Sequence, residues 1–166
     1  MHSIYVEIVC EEIKDKYGSE SKFVKTILGI DWVKWEAWKE ERGTLAPEVN
    51  QKIIHLFSDY EWMLVQKVLR QTIIYPEKRL LALAEYRKMK LVIAKEWIEH
   101  QLGLVEMVQK EQDADGKQWI NLKVTLSYGE WGFDDVLTFR VPAVLQHVLT
   151  GEKQALLEWM DESIFH

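Results

Sequence analysis

The chain has 166 residues with 21 basic and 27 acidic side chains, a net charge of −6, so no global positive field draws it onto nucleic acid and any such binding must be local. At 48% hydrophobic and 29% charged residues it has the composition of a packed domain, not of a disordered chain. The longest uncharged run, residues 141–151, falls well short of the roughly 20 residues of a membrane span; the acidic start does not read as an export signal, and a lone Cys10 excludes an internal disulfide or a cysteine-rich metal site. A soluble, cytoplasmic protein without membrane contact is expected.

The first 75 residues are expected to form five short helices. Tyr5, Val9, Ile13 and Tyr17 recur every four positions as an apolar stripe that Gly18 ends. A second helix starts at Ser19 or Ser21, either of which suits a cap, turns Phe23, Ile27 and Leu28 inward and stops at Gly29. Asp31 caps a third, residues 32–41, which Gly43 closes. Pro47 suits the first turn of a fourth, with Val49, Ile53, Leu56 and Phe57 on its buried face. Ser58 followed by Glu61 is a capping-box pair opening a fifth helix with Trp62, Val65 and Leu69 inward.

From Pro76, tolerated in a first turn, one long helix is expected through residue 102. Leu80, Ala84, Leu91, Ile93, Ala94, Trp97 and Ile98 supply its buried surface, and Lys78, Arg79, Arg87, Lys88 and Lys90 its charge. After Gly103 the period becomes alternating, giving strands at 104–112 and 119–128 joined by Asp113-Ala114-Asp115-Gly116, which is turn chemistry. A turn at 129–134 leads to a third strand, 136–141, with Leu137, Phe139 and Val141 on one face, and two helices, 143–149 and 152–160, follow Pro142. The expected fold class is α+β: an all-helical unit, a long connecting helix, and a small antiparallel sheet with two helices. Two domains are expected, 1–75 and 76–166. The acidity is C-terminal, with 5 basic and 11 acidic residues in 101–166.

No enzyme signature is present. His2, His55, His100, His147 and His166 form no HExxH or HxH pattern, and no phosphate loop, dinucleotide fingerprint or nucleophile elbow occurs. Cys10 lies beside Val9 on an amphipathic helix, the setting of a packed thiol. The Asp113–Gly116 turn begins like a calcium loop, but Val124 stands where the bidentate Glu belongs. The sequence therefore calls for no cofactor and no metal, and for no catalytic residue. Three of the eight tryptophans, Trp32, Trp35 and Trp38, fall within an arc of about 120° of the third helix and line one side of it, which reads as core.

Residues 21–45, SKFVKTILGIDWVKWEAWKEERGTL, resemble the helix-turn-helix of the Cro/repressor-type (XRE-like) regulators. Leu28-Gly29-Ile30, Asp31, Trp35, Trp38 and Gly43 take the roles of turn, cap, buried residues and closing glycine, and the five-helix plan of residues 4–70 is similar too. Lys25 departs from the pattern, standing where the family carries a small buried residue. The resemblance implies that the third helix enters a major groove of double-stranded DNA. Its candidate contacts are Ser21, Trp32, Val33, Lys34, Glu36, Ala37, Lys39 and Arg42, with auxiliary phosphate contacts from Lys78, Arg79, Arg87 and Lys88. Val33 and Ala37 suit thymine methyls and Glu36 a cytosine amino group, but no Arg, Asn or Gln offers a bidentate base contact. Residues 20–52 hold six basic and six acidic groups, so the phosphate term is small. Two functions follow as expectations: a transcriptional regulator whose C-terminal half dimerises or senses an effector, or an adaptor whose helical unit binds protein instead.

Overall fold

The computed structural model describes residues 2–109, 116–129 and 134–143. Six helices precede a three-stranded sheet: α1 His2–Tyr17, α2 Glu20–Phe23 continuing as a π-helical turn Val24–Leu28, α3 Trp32–Lys39, α4 Pro47–Ile54, α5 Asp59–Ile74, a 3₁₀ turn Pro76–Leu81, and α6 Ala82–Glu99. The strands are β1 Gly103–Gln109, β2 Trp119–Ser127 and β3 Asp134–Pro142, antiparallel in the order β1-β2-β3. The α+β class is as expected. The two helices expected at 143–149 and 152–160, but for residue 143, lie outside the described residues, as do Trp131 and the Asp113–Asp115 part of the expected hairpin turn.

The α1 helix packs against α2, α5, α6 and β3. Its buried face is Ile4, Ile8, Val9, Glu12 and Ile13, with Tyr5 and Tyr17 half-covered, so the stripe is rotated from the one built on Tyr5 and Tyr17. Four-residue spacing alone does not choose between two adjacent rows of a helix. Ser19, not Ser21, caps α2, accepting from Lys22 N at 3.3 Å. The helix then widens, and Gly29 N–H closes it on Val24 O at 2.8 Å, five residues back. That geometry delivers the chain into a left-handed residue, φ 62° at Gly29, where glycine carries no Cβ penalty.

An eight-residue helix does not hold itself in water, so α3 depends on Trp35 and Trp38. Both are buried and stacked with centroids 5.1 Å apart, Trp35 against Phe23 and Trp38 against Tyr5 and His2. Trp32 does not join them and is 44% exposed. The helix also ends before Gly43: Glu41 takes the left-handed position at φ 58°, and Arg42 N–H bonds Ala37 O at 2.7 Å. Gly43 instead admits Ala37, whose Cβ lies 3.4 Å from where a Cβ on Gly43 would stand. Both bonds of the Ser58/Glu61 capping box form at the start of α5.

The long helix expected from Pro76 is two elements. Residues 76–81 form a 3₁₀ turn, with Lys78 N bonding Tyr75 O at 2.9 Å, and none of its side chains is buried. Without packing nothing supports an α-turn there, and α6 begins where Ala82 reaches the core. Leu80 and Ala84 are therefore exposed, contrary to expectation, and Lys90, expected at the surface, is buried. In the sheet, Leu122, Val124, Leu137 and Phe139 face the helices and share one core with Leu64, Val68, Leu91 and Trp97.

Gly29→Ala is expected to cost about 1 kcal/mol, from the left-handed backbone alone, because an added Cβ meets nothing within 4 Å. Thermal unfolding should show the midpoint falling by about 2–4 °C.

Candidate functional site

An edge strand presents unpaired backbone groups that must be covered or solvated. The free edge of β3 lies against helices, and three side chains from two of them, α5 with its cap and α6, close it. Ser58 Oγ donates to Val136 O. Glu61 Oε2 accepts from Thr138 N at 3.1 Å, and Lys90 Nζ donates to Thr138 O at 2.7 Å. The capping box of α5 therefore serves two purposes, holding the helix start and pairing the strand.

The carboxylate and ammonium that meet the strand continue into a buried ion network. Lys90 Nζ lies 2.9 Å from both Glu12 and Glu61, and Lys16 Nζ lies 2.7 Å from Glu61 and 3.2 Å from Glu12 Oε2. Tyr86 donates to Glu12 at 2.9 Å, and Lys16 donates to Leu56 O at 2.7 Å. Glu12, Glu61 and Lys90 are almost wholly buried. Burial would raise the Glu61 pKa, but Lys90, Lys16 and the Ser58 N–H bond hold it well below the usual carboxylate range. Burial would lower Lys90, and Glu12 and Glu61 raise it instead; Lys16 is raised in the same way. Two carboxylates and two ammoniums cancel, and each ammonium spends its donors inside the network. The arrangement fixes α1, α5, α6 and β3 together. Half-buried Asp15 is different: desolvation first, then the neighbouring Glu12 charge, pushes its carboxyl up to about 6.

The helix-turn-helix candidates fall into two groups. Trp32, Val33 and Lys34 stand exposed on α3, Glu36 and Ala37 are half-covered, and Ser21 is exposed with its hydroxyl 3.4 Å from Ser19 Oγ. The cations are largely committed. Lys39 binds Glu20 at 3.0 Å and Glu36 at 3.1 Å, and Arg42 binds Glu40 at 2.6 Å. Glu20 Oε1 also accepts from Trp35 Nε1 at 3.2 Å and from Cys10 Sγ at 3.1 Å. Burial and the Glu20 bond push the Cys10 thiol up to about 12, which keeps it protonated and unreactive at neutral pH. Lys25, the departure from the family pattern, is exposed on the π-helical turn. Of the auxiliary cations, Arg87 pairs with Glu11 at 2.7 Å and Lys78 with Glu85 at 3.6 Å. Lys78 and Lys88 rim a groove between α5 and α6, and Arg79 is exposed on the 3₁₀ turn beside it. That turn packs on α5 and α6, whereas α3 packs on the π-helical turn and, through Trp38, on α1, so the structure does not assemble the two groups on one element.

Among the described residues no cluster of three or more His, Cys, Asp or Glu side chains is placed to hold a metal ion, and no helix is long and apolar enough to cross a membrane. Comparison with protein-family models, with curated proteins and with solved structures finds no match to this chain. Sequence reasoning missed Glu12, Lys16 and the second role of Glu61. A signal existed for Glu12, which continues the row Ile4, Ile8 at four-residue spacing, and for Lys90, which lies four residues from both buried Tyr86 and buried Ala94.

Lys90→Met should destabilise the fold by about 3–5 kcal/mol, the cost of leaving buried charges uncompensated, as read by urea unfolding. Asp15 gives a pH signature. Its folded pKa lies above the ordinary Asp value, so its favourable share is present at low pH and is lost as pH rises toward about 6. Asp15→Asn should remove that loss and raise stability at pH 7 relative to the parent, with the difference shrinking toward pH 4. Glu61 works oppositely, its contribution being lost as pH falls.

Proposed function

We propose that the protein is an interaction module, an adaptor whose corner between α5 and α6 captures an acidic amphipathic segment of a partner protein. One observation carries this reading: Ile73, Ile74, Tyr75, Leu80 and Leu81 are all exposed within nine consecutive residues, Leu80 at 96% and Ile74 at 67%. Contiguous apolar surface of this kind on a folded domain marks a binding surface. Beside it runs a groove of about 360 Å³ lined by Gln71, Met89, Val92 and Ile93 together with Lys78, Glu85 and Lys88, Glu85 lying 3.6 Å from Lys78. The charge is complementary to an acidic partner. Residues 67–88 carry six basic and two acidic side chains in a chain of net charge −6. An amphipathic helix laying its apolar face into the groove, with acidic residues over Arg70 and Arg79, fits that surface.

A second reading, recognition of double-stranded DNA by α3 in a regulator that dimerises, is favoured by the outward position of Trp32, Val33 and Lys34. The carboxylates that hold Lys39 and Arg42 weaken it, since neutralised cations release few counterions from a duplex.

Fluorescence anisotropy with a synthetic amphipathic helix bearing Leu at i, i+3, i+4 and i+7 and Glu elsewhere is expected to saturate, and a scrambled peptide to fail. Leu80→Glu together with Ile74→Glu should weaken binding at least tenfold, while surface substitutions leave stability within about 0.5 kcal/mol. No saturation, or equal binding by the double variant, rejects the adaptor reading. Selection from random duplexes at low salt tests the other one: an enriched sequence whose binding falls with Lys34→Glu would establish it.

A further inference from the structure

A second cavity, of about 330 Å³, lies between the end of α1, the α4–α5 turn and the sheet, and its polar lining is not accounted for by the ion network. Lys16 and Glu61 reach it, but each is spent: Lys16 on Leu56 O, Glu61 and Glu12, and Glu61 on Lys16, Ser58 N, Lys90 and Thr138 N. Their charges cancel within the network. Two lining groups remain. Lys123 is half-buried and has neither hydrogen bond nor ion pair among the described residues. Asn121 is 1% exposed, and its Oδ1 has no hydrogen-bond partner.

Strand alternation puts both on the same side. Asn121 and Lys123 share one face of β2, Lys123 pairs with Thr138 and Thr125 with Val136, and Asn121, Lys123, Val136 and Thr138 all line the cavity. His55 stands exposed at the rim. A buried amide oxygen without a donor carries the desolvation cost of an unmade hydrogen bond, and an unpaired half-buried ammonium adds to it. Both are relieved by one kind of occupant.

We propose that this cavity binds a small oxyanion that also carries a hydroxyl, with hydrogen phosphate or a phosphate monoester monoanion as the chemical class. The anionic oxygens meet Lys123 Nζ and the His55 ring, and the P–OH donates to Asn121 Oδ1. The terminal amide torsion is broad, so Asn121 reorients toward the ligand without backbone movement. The site is separate from the α5–α6 corner and stands whether or not that corner binds protein. Sulfate has the size of the ligand and the charge of hydrogen phosphate but no proton to donate at neutral pH, which makes it the natural control.

The test uses the full chain at low ionic strength, with inorganic phosphate, methyl phosphate and sulfate titrated separately and followed by amide and side-chain NMR shifts. Saturable phosphate binding is expected, with shifts centred on Asn121 and Lys123 and affinity at least tenfold above that for sulfate. Methyl phosphate binding like phosphate assigns the site to esters, and exclusion of it assigns the site to the free ion; both sustain the oxyanion site. Lys123→Met should abolish saturation, and Asn121→Leu should erase the preference for phosphate over sulfate while circular dichroism shows both variants folded. Non-saturating shifts, or unchanged phosphate binding in folded Lys123→Met, overturn the proposal.

Discussion

The structure depends on closing the free edge of β3. A three-stranded sheet has two edges, and the one facing the helices cannot be left to water without opening the core. Ser58, Glu61 and Lys90 supply the missing partners for Val136 and Thr138. Lys90 and Glu61 are charged, so burying them demands counter-charges, and Glu12 and Lys16 meet that demand from α1. The ion network therefore follows from a backbone requirement. An apolar replacement of the whole set would fill the volume but would leave the Thr138 N–H and C=O unpaired, the more costly arrangement in a dry interior.

That constraint also organises the surface around it. The network fixes α1, α5, α6 and β3 through four side chains, and three of these elements, α1, α5 and β3, form walls of the cavity beside the α4–α5 turn, which Lys123 and Asn121 of β2 also line. The α5–α6 corner lies beyond the network. Its 3₁₀ turn buries none of its side chains, which leaves Leu80 and Leu81 outward. The same absence of packing that shortens α6 produces the apolar surface proposed to receive a partner.

The helix-turn-helix resemblance carries less of the functional argument than the pattern of residues 21–45 suggests. Two buried indoles, the Gly29 turn and the free outer side of α3 are in place. What the linear pattern does not convey is where the cations go. Lys39 and Arg42 read as phosphate contacts in one dimension, yet the carboxylates of Glu20, Glu36 and Glu40 reach them first. Of these, Glu20 lies 19 positions away from Lys39, a pairing that no local rule supplies.

The sequence by itself determined what is local: the helical first half and the strands that follow Gly103, the Ser58/Glu61 capping box, the glycine that ends the π-helical turn, and the alternation that puts Leu137, Phe139 and Val141 on one face. These depend on residues within a few positions of one another, where propensity and periodicity act directly. Only the tertiary structure decided which charges are interior. Lys90 meets Glu12 across 78 positions, Glu61 meets Thr138 across 77 and Lys16 meets Glu61 across 45. A lysine on an amphipathic helix reads as surface because its burial is favourable only with partners from distant elements, and those partners exist only once the chain has closed.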